Sequence, residues 1–506
     1  MAKSGKLELT WVGKDERHRL EPRLLLEDPA KSYGDPASPN MLIRGDNLLA
    51  LKALEQDFTG KVKCIFIDPP YNTGSAFEHY DDGVEHSLWL TMMRDRLAIL
   101  QTLLAKDGSI WVAIDDHEGH YLKVLMDEVF GRTQFVATVV WQSRYSRSND
   151  ASLSQSHNFI LVYAIDPNRW KTLRNRLPRT ETQAAQYKNP DDDSRGPWRA
   201  IPWDAPNLRP NLTYPILTLT GKVRMPPPGR CWSRTEEQWL AIVESGRAYF
   251  GRSGNGAPSF KQFLSEASAI VPNTWWPHDD AGHTDEAKKE IMFLFGQAGA
   301  FATPKPERLA QRIIHIASNP GDLVLDSFLG SGTTAAVAHK MGRRWIGIEM
   351  GEHCHTHSLP RLKKVVDGAD SGGITEATGW KGGGGFKYFN LAETLLLADD
   401  TLDHYLLNPK YDAGMLIRAI CKIENFRYRP RGRWHGYSSE THFIHIVTQL
   451  LTQPYVDMLA QDLAEKDALL IYCTKRGGGL NLPRNVKIKR IPKDLLAKCE
   501  FRADLK

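Results

Sequence analysis

The segment Asp322–Met350, DLVLDSFLGSGTTAAVAHKMGRRWIGIEM, constrains the fold more than any other stretch of the chain. An apolar run, LVLD, leads into a glycine-bearing turn, then a helically spaced stretch, AAVAHKM, then a second apolar run, WIGIE. Apolar runs this short suit parallel strands covered on both faces, and a helix between two of them makes a βαβ unit. Gly330 and Gly332 permit a tight turn and close approach of backbone to a ligand, and the helix start offers unpaired N–H donors. Glu349 ends the second strand, where a carboxylate accepts hydrogen bonds from both hydroxyls of a ribose. Asp326, beside the turn, suits a cationic amino group better than a pyrophosphate. The loop lacks the Lys of a phosphate-binding loop, and Thr333 and Thr334 follow where a dinucleotide loop would reach its third Gly. S-adenosylmethionine carries both an amino group and a ribose. Taken alone, the glycines can also be read as a plain turn in an α/β sheet, as the lesser alternative.

The same grammar runs from Met41 to about Val140. LIRGD, VKCIFID and GSIWVAID read as buried strands, with NLLALKAL and HSLWLTMMRDRLAILQTLLA as the helices between them. VKCIFID ends in Asp68-Pro69-Pro70-Tyr71, so an acidic, aromatic loop stiffened by two prolines sits at a strand's carboxyl end, where open α/β sheets place ligands. An exocyclic base amine is a poor nucleophile because its lone pair is conjugated into the ring. The Asp68 carboxylate and the Pro69 carbonyl are two fixed acceptors for its hydrogens, and Tyr71 offers a face for an extruded base. A bare DPP also reads as a Pro-Pro turn with Asp as helix cap; the following Tyr and the glycine loop favour the reaction site.

Between these halves the grammar dissolves into Pro, Gly, Trp and Arg, as in WRAIPWDAPNLRPNLTYP. The net charge of +5 is unevenly spread: from Arg144 to Lys261 there are 18 Lys and Arg against 10 Asp and Glu. This basic insertion is the candidate grip on DNA phosphates, with Arg144, Arg147, Arg174, Arg176 and Arg179 as its members and Trp275-Trp276 read as buried packing before base stacking. The grammar resumes at KPERLAQRIIHIAS. Beyond the glycine run Gly382–Gly385, read as a linker, a last segment carries the strand-like runs ALLIYCTK and NVKIKRIP. Six scattered cysteines without CxxC pairs suit a reducing compartment, and His353, Cys354, His355 and His357 are too closely spaced to favour a metal site, so none is expected. No apolar run of membrane-spanning length occurs, and a cytoplasmic location is expected.

On these residues the chain resembles the beta group of amino methyltransferases, in which a catalytic DPPY motif precedes a cofactor motif FxGxGT: here Asp68–Tyr71 and Phe328–Thr333. The longer DPPYNTG, the stretch GDNLLALKAL with Asp46, and KPERL at Lys305–Leu309 are similar to modification subunits of type III restriction systems. The resemblance implies an α/β, Rossmann-like S-adenosylmethionine-dependent fold with circularly permuted motif order. Residues 1–140 and 301–380 would form the two halves of the catalytic domain, 141–300 an inserted DNA target-recognition domain, and 386–506 a small C-terminal α/β domain for oligomer or partner contacts. It implies catalysis by Asp68, Pro69, Pro70 and Tyr71. It implies cofactor contacts from Asp46, Lys305, Pro306, Asp326, Phe328, Gly330, Ser331, Gly332, Thr333 and Glu349. Asp at position 68 favours N6 of a flipped-out adenine over N4 of cytosine. The implied partners are double-stranded DNA, a second copy of the chain and a separate restriction subunit. Rival readings are a cytosine-N4 enzyme, a methyltransferase acting on RNA or protein glutamine, and a noncatalytic DNA-binding assembly subunit.

Overall fold

A computed structural model describes residues 8–73, 85–147, 151–297, 301–399 and 404–502. Gly74 of the DPPYNTG stretch lies outside them. The chain divides into two compact units, Met1–Asn175 with Asn273–Lys506, and Arg176–Pro272.

The first unit is organised by an eleven-stranded mixed sheet among the described residues. Its centre runs, in spatial order, Met41–Arg44, Arg344–Glu349, Leu323–Asp326, Val62–Ile67 and Leu104–Ile114, all parallel. The apolar runs read from sequence are these strands, and their residues are buried because helices cover both faces. Asn158–Ala164 then adds antiparallel to Leu104–Ile114, followed by Phe135–Trp141 and the short Trp275–Trp276.

Leu323–Asp326 lies between two strands that lead the chain in opposite directions across the sheet. The helix Thr333–Lys340 carries it to Arg344–Glu349 on one side. Val62–Ile67, paired through Val324 with Cys64 and Leu325 with Ile65, carries on through the helix His86–Leu103 to Leu104–Ile114 on the other. Such a reversal leaves a crevice at the carboxyl ends of the two central strands. Two strands far apart in sequence thus deliver Asp326 and Asp68 to one place.

The glycine run Gly382–Gly385 is not a free linker. The Gly383 N–H donates to the Val366 carbonyl, the Asp35 N–H to the Gly384 carbonyl, and Gly385–Leu391 enters the main sheet between Leu25–Glu27 and Met41–Arg44. A Cβ at Gly385 would lie 2.3 Å from the Asp35 nitrogen, so close backbone crossing demands glycine there. Beyond it, a five-stranded sheet runs Arg427–Arg431, Trp434–Ser439, His442–Leu451, Ala468–Arg476 and Val486–Arg490.

The second unit is narrower than the Pro- and Trp-rich stretch in sequence, because NFILVYA and Trp275-Trp276 pair into the main sheet of the first. It holds a three-stranded sheet, Ala248–Tyr249, Ser259–Phe263 and Trp198–Pro202, and a small aromatic core of Trp203, Tyr214, Trp232, Trp239 and Phe250 around Ile216. Among the described residues no helix is long and apolar enough to cross a membrane.

Candidate active site

The crevice opens into a cavity of about 890 Å³ whose wall includes Asp68, Pro69, Pro70, Tyr71, Lys305, Asp326, Phe328, Gly330, Ser331 and Thr333. Motifs from both halves of the sequence therefore face one space.

The DPPY loop is anchored from several sides. Trp89 Nε1 donates to the Pro70 carbonyl at 2.9 Å, and Asn158 Nδ2 donates to the Tyr71 hydroxyl at 3.1 Å. Asn72 takes a left-handed backbone, φ 58°, and its amide donates to Glu118 at 2.8 Å, a carboxylate that also holds His86. Burial, and then the Asp68 carboxylate beside it, push the Tyr71 hydroxyl well above its ordinary range, so the ring stays neutral. Asp68 Oδ2 is held by the ammonium of Lys305. Its Oδ1 is buried and, among the described residues, without a hydrogen bond of ordinary geometry, with the Tyr71 hydroxyl close to the carboxylate.

The glycine loop is tied down from behind. Gly330 and Gly332 both have positive φ, 57° and 86°, and a Cβ on Gly332 would come 3.2 Å from the Ser358 backbone. Ser358 Oγ donates to the Gly330 carbonyl at 2.6 Å, and Arg361 donates to Thr333 Oγ1 at 2.8 Å. Arg361 belongs to a buried ionic cluster: Glu307 Oε1 lies 2.8 Å from its guanidinium, and Lys340 Nζ bridges Glu307 at 2.9 Å and Asp370 at 2.8 Å. Desolvation of two cations and two carboxylates is offset only because they meet each other at hydrogen-bonding distance.

Asp326 is buried, and burial, with the Asp68 and Glu349 carboxylates adding to it, pushes its carboxyl up to about 7 against hydrogen bonds from Thr334 and the Phe328 N–H. Its neighbourhood thus favours a cation arriving beside it.

Four residues expected at the cofactor are not part of the cavity wall. Asp46 caps the helix Asn47–Phe58 by accepting from the Leu49 N–H at 3.0 Å and pairs with Arg96 at 3.3 Å. Pro306 is the N-cap of the helix Glu307–Ala317, and Gly332 starts the helix Thr333–Lys340. Glu349 accepts from the N–H groups of Gly330 at 2.7 Å, Met350 at 2.7 Å and Gly351 at 2.9 Å, and meets His353 at 2.9 Å. Burial raises its carboxyl, but those partners more than offset this and hold it below the ordinary range. It stands in this structure as the clamp that shapes the glycine turn.

The five arginines separate. Arg144 is exposed on the cavity wall, and Arg147 is exposed nearby in sequence; both belong to the first unit, as does the half-buried Arg174 at the end of the helix Pro167–Leu173. Arg176 and Arg179 belong to the second, lining a shallow depression with Arg199 and Gln262, where Arg179 donates to the Ser268 carbonyl at 3.1 Å. Trp276 is buried and stacks on Trp111 with centroids 6.1 Å apart, whereas Trp275 is 53% exposed.

Sequence reading missed Trp89, Asn158, Glu118 and Arg361, which fix the motifs; of these, Asn158 also lines the cavity. Only Glu118 carried a signal, as an acidic residue just beyond the carboxyl end of the strand next to DPPY.

A family model described as DNA methylase matches residues 62–359. A Haemophilus influenzae protein named as a probable type III restriction-modification enzyme HindVI Mod subunit is 34% identical over 420 residues, 71% of this chain and 55% of that one. The StyLTI Mod subunit of Salmonella typhimurium is 34% identical over 330 residues, 59% of this chain and 49% of its own. The chain thus spans about half the length of these curated relatives. The DNA adenine methyltransferase YhdJ of Escherichia coli is 47% identical over 323 residues, 63% of this chain and 82% of its own. With both motif-bearing strands inside the matched region, the chain belongs to the DNA methylase family.

Proposed function

We propose that this protein is a site-specific DNA methyltransferase that moves a methyl group from S-adenosylmethionine to N6 of an adenine flipped out of duplex DNA, as the modification component of a restriction-modification system. One observation carries the reading: Asp68 and Asp326, from strands paired side by side, open into the same cavity.

The residues present fit the cofactor. Gly330 leaves the loop wall bare where a Cβ would lie 3.5 Å from the Phe301 ring, and the buried Asp326 carboxyl is an anion site short of a cation. Asp326 would hold the amino group, Gly330, Ser331 and Thr333 the amino-acid end, and Phe328 an apolar face. Asp46, Pro306, Gly332 and Glu349 support that site from outside the cavity wall, and Lys305 lies on the wall beside Asp68. The cofactor supplies a methyl group on a sulfonium, already a good leaving group, so alignment carries most of the rate.

The Asp68 carboxylate and the Pro69 carbonyl accept the two N–H hydrogens of the target amine, which turns the nitrogen lone pair toward the methyl. Tyr71 stacks on the base, and its hydroxyl is held off by Asn158. Arg144 and Arg147 grip phosphates flanking the target, and Arg176, Arg179 and the rest of the second unit contact DNA outside the flipped nucleotide. Adenine is favoured by Asp at position 68 and by the adenine methyltransferase name of the Escherichia coli relative. A separate polypeptide supplies cleavage, in keeping with the Mod-subunit names of two relatives. A homodimer in the cytoplasm completes the proposal.

The test is to incubate the protein with unmethylated duplex DNA and methyl-labelled S-adenosylmethionine, hydrolyse to nucleosides and identify the labelled base by mass spectrometry. Label in N6-methyladenine that vanishes in Asp68→Ala supports the reading, label in N4-methylcytosine overturns the base, and cofactor binding without label overturns the activity.

A further inference from the structure

The resemblance implies that Lys305 serves the cofactor, yet its ammonium is spent elsewhere. It holds Asp68 Oδ2 and lies 5.0 Å above the centre of the Tyr71 ring, with its side chain only 10% exposed. The two residues it touches are the two side chains of the DPPY loop that would meet the target base.

Its placement is rigid. Pro306, next in the chain, fixes the backbone at the start of the helix Glu307–Ala317. Glu307, the first residue of that helix, is locked by Lys340, Arg361 and the Ile374 N–H at 2.9 Å, all in the buried cluster behind the glycine loop. A lysine on a free loop would wander among rotamers; this one is delivered to Asp68 by a helix end that cannot shift without breaking a buried ion-pair network.

We propose that Lys305 is a positioning residue for base methylation: by pairing with Asp68 Oδ2 and lying over the Tyr71 ring, it fixes the orientation of the two side chains of this loop that would meet the target amine and base. A carboxylate free to rotate presents either oxygen, in any rotamer, to an incoming N–H. Pinned through Oδ2, the carboxylate is confined to one rotamer, which sets the directions in which it can accept. The ammonium over the Tyr71 ring ties that side chain to the same ion pair. The carboxylate and the ring of the loop are then set before the methyl approaches. During transfer the carbon–sulfur bond breaks, the nitrogen–carbon bond forms and one N–H proton leaves to solvent; Lys305 takes no part in those bonds.

This inference rests on the proposed DNA-methylating activity, and one set of measurements separates the two. Wild type, Lys305→Met, Lys305→Arg, Asp68→Asn and the double variant Lys305→Met/Asp68→Asn are assayed for single-turnover methylation of duplex DNA and for S-adenosylmethionine binding by calorimetry. Lys305→Met is expected to lower the methylation rate constant by about 10- to 100-fold, the scale of a misplacement near 1 Å. Its cofactor Kd should stay within about threefold of wild type, because an effect on chemistry alone leaves ground-state binding intact. Lys305→Arg, which keeps the cation, should recover much of the rate. The double variant should be no slower than Asp68→Asn, since a residue acting through Asp68 has nothing further to lose once that carboxylate is gone. Loss of cofactor binding in step with rate would make Lys305 a cofactor ligand and overturn the inference. So would an unchanged rate in Lys305→Met, or a double variant slower than Asp68→Asn. Absence of methylation in wild type would instead overturn the proposed function.

Discussion

Asp326 makes cofactor affinity depend on pH in a predictable direction. Its carboxyl is pushed up to about 7, chiefly by burial and secondarily by the Asp68 and Glu349 carboxylates. Below that pH the free protein carries a proton on Asp326, and a cationic amino group can bind well only after the proton leaves. Affinity therefore rises about tenfold per pH unit on the acid side and levels off above about 7. From about pH 5.5 to the plateau the gain is about 30-fold, equivalent to about 2 kcal/mol. Asp326→Asn keeps the shape, loses the charge and removes the titration. Its affinity should be flat with pH and about 10- to 100-fold weaker than wild type at about pH 8, the scale of a charge-assisted hydrogen bond. At about pH 5.5 the two proteins should converge to within a few-fold. Calorimetric titration with S-adenosylmethionine across that range, in buffers of differing ionisation enthalpy, also counts the released proton. A wild-type affinity that does not change between about pH 5.5 and 7, or an Asn variant that keeps the slope, refutes the reasoning.

Other outcomes follow from the same structure. Lys340→Met removes one cation from the buried cluster and leaves Glu307 and Asp370 short of charge; chemical denaturation should show a loss of about 3–5 kcal/mol. Gly332→Ala places a Cβ at φ 86° and 3.2 Å from the Ser358 backbone; a loss of about 1–2 kcal/mol in stability, with weaker cofactor binding, is expected from thermal melts and calorimetry. Burial, and then Glu307, push the Glu290 carboxyl up to about 8, so the folded state keeps a proton that the unfolded chain releases near its ordinary value of 4.5. Its stabilising share is complete below the lower value and is lost as pH rises toward 8, and Glu290→Gln should flatten that fall in a melting-temperature profile. Tyr71→Phe removes the hydroxyl held by Asn158 but keeps the ring, and should retain most methylation, whereas Tyr71→Ala should lose about 1–3 kcal/mol of base stacking, seen as weaker binding of DNA with an abasic partner opposite the target.

The central strands were legible because their signal is local. VKCIFID and LVLD are apolar on both faces, and each ends in an acidic residue at a turn, so period and punctuation agree. That these two strands are neighbours was not written in either; it came through the motif order of the family resemblance. The reading failed where meaning depends on a distant partner. The four glycines Gly382–Gly385 have the composition of a linker, and only the chain crossing at Gly34 and Asp35 makes them a tight junction. NFILVYA was absorbed into the irregular middle because Pro, Trp and Arg follow it, although it completes the main sheet. Within the site, Asp46 and Glu349 sit where a nucleotide-binding fold puts ligand contacts, but a carboxylate at a helix start or strand end satisfies nearby N–H groups just as well. Sequence shows the acid and not which donors reach it first. Lys305 was found by position, but its pairing with Asp68 was not, since nothing in KPERL points to it.

The ion pair between Lys305 and Asp68 closes a loop of 237 positions, and the cavity is walled by residues from both its ends. During synthesis the DPPY strand leaves the ribosome long before the strand that must lie beside it, with the whole Arg176–Pro272 unit emerging in between. Val62–Ile67, apolar throughout, must therefore wait with one edge unpaired until Leu323–Asp326 arrives, a long-range closure of the slow kind. The Arg176–Pro272 unit, having its own aromatic core, needs no such wait. A nascent chain thus completes the middle of its sequence before its catalytic centre, and a truncated product lacking the second half is left with an exposed sheet edge in place of an active site.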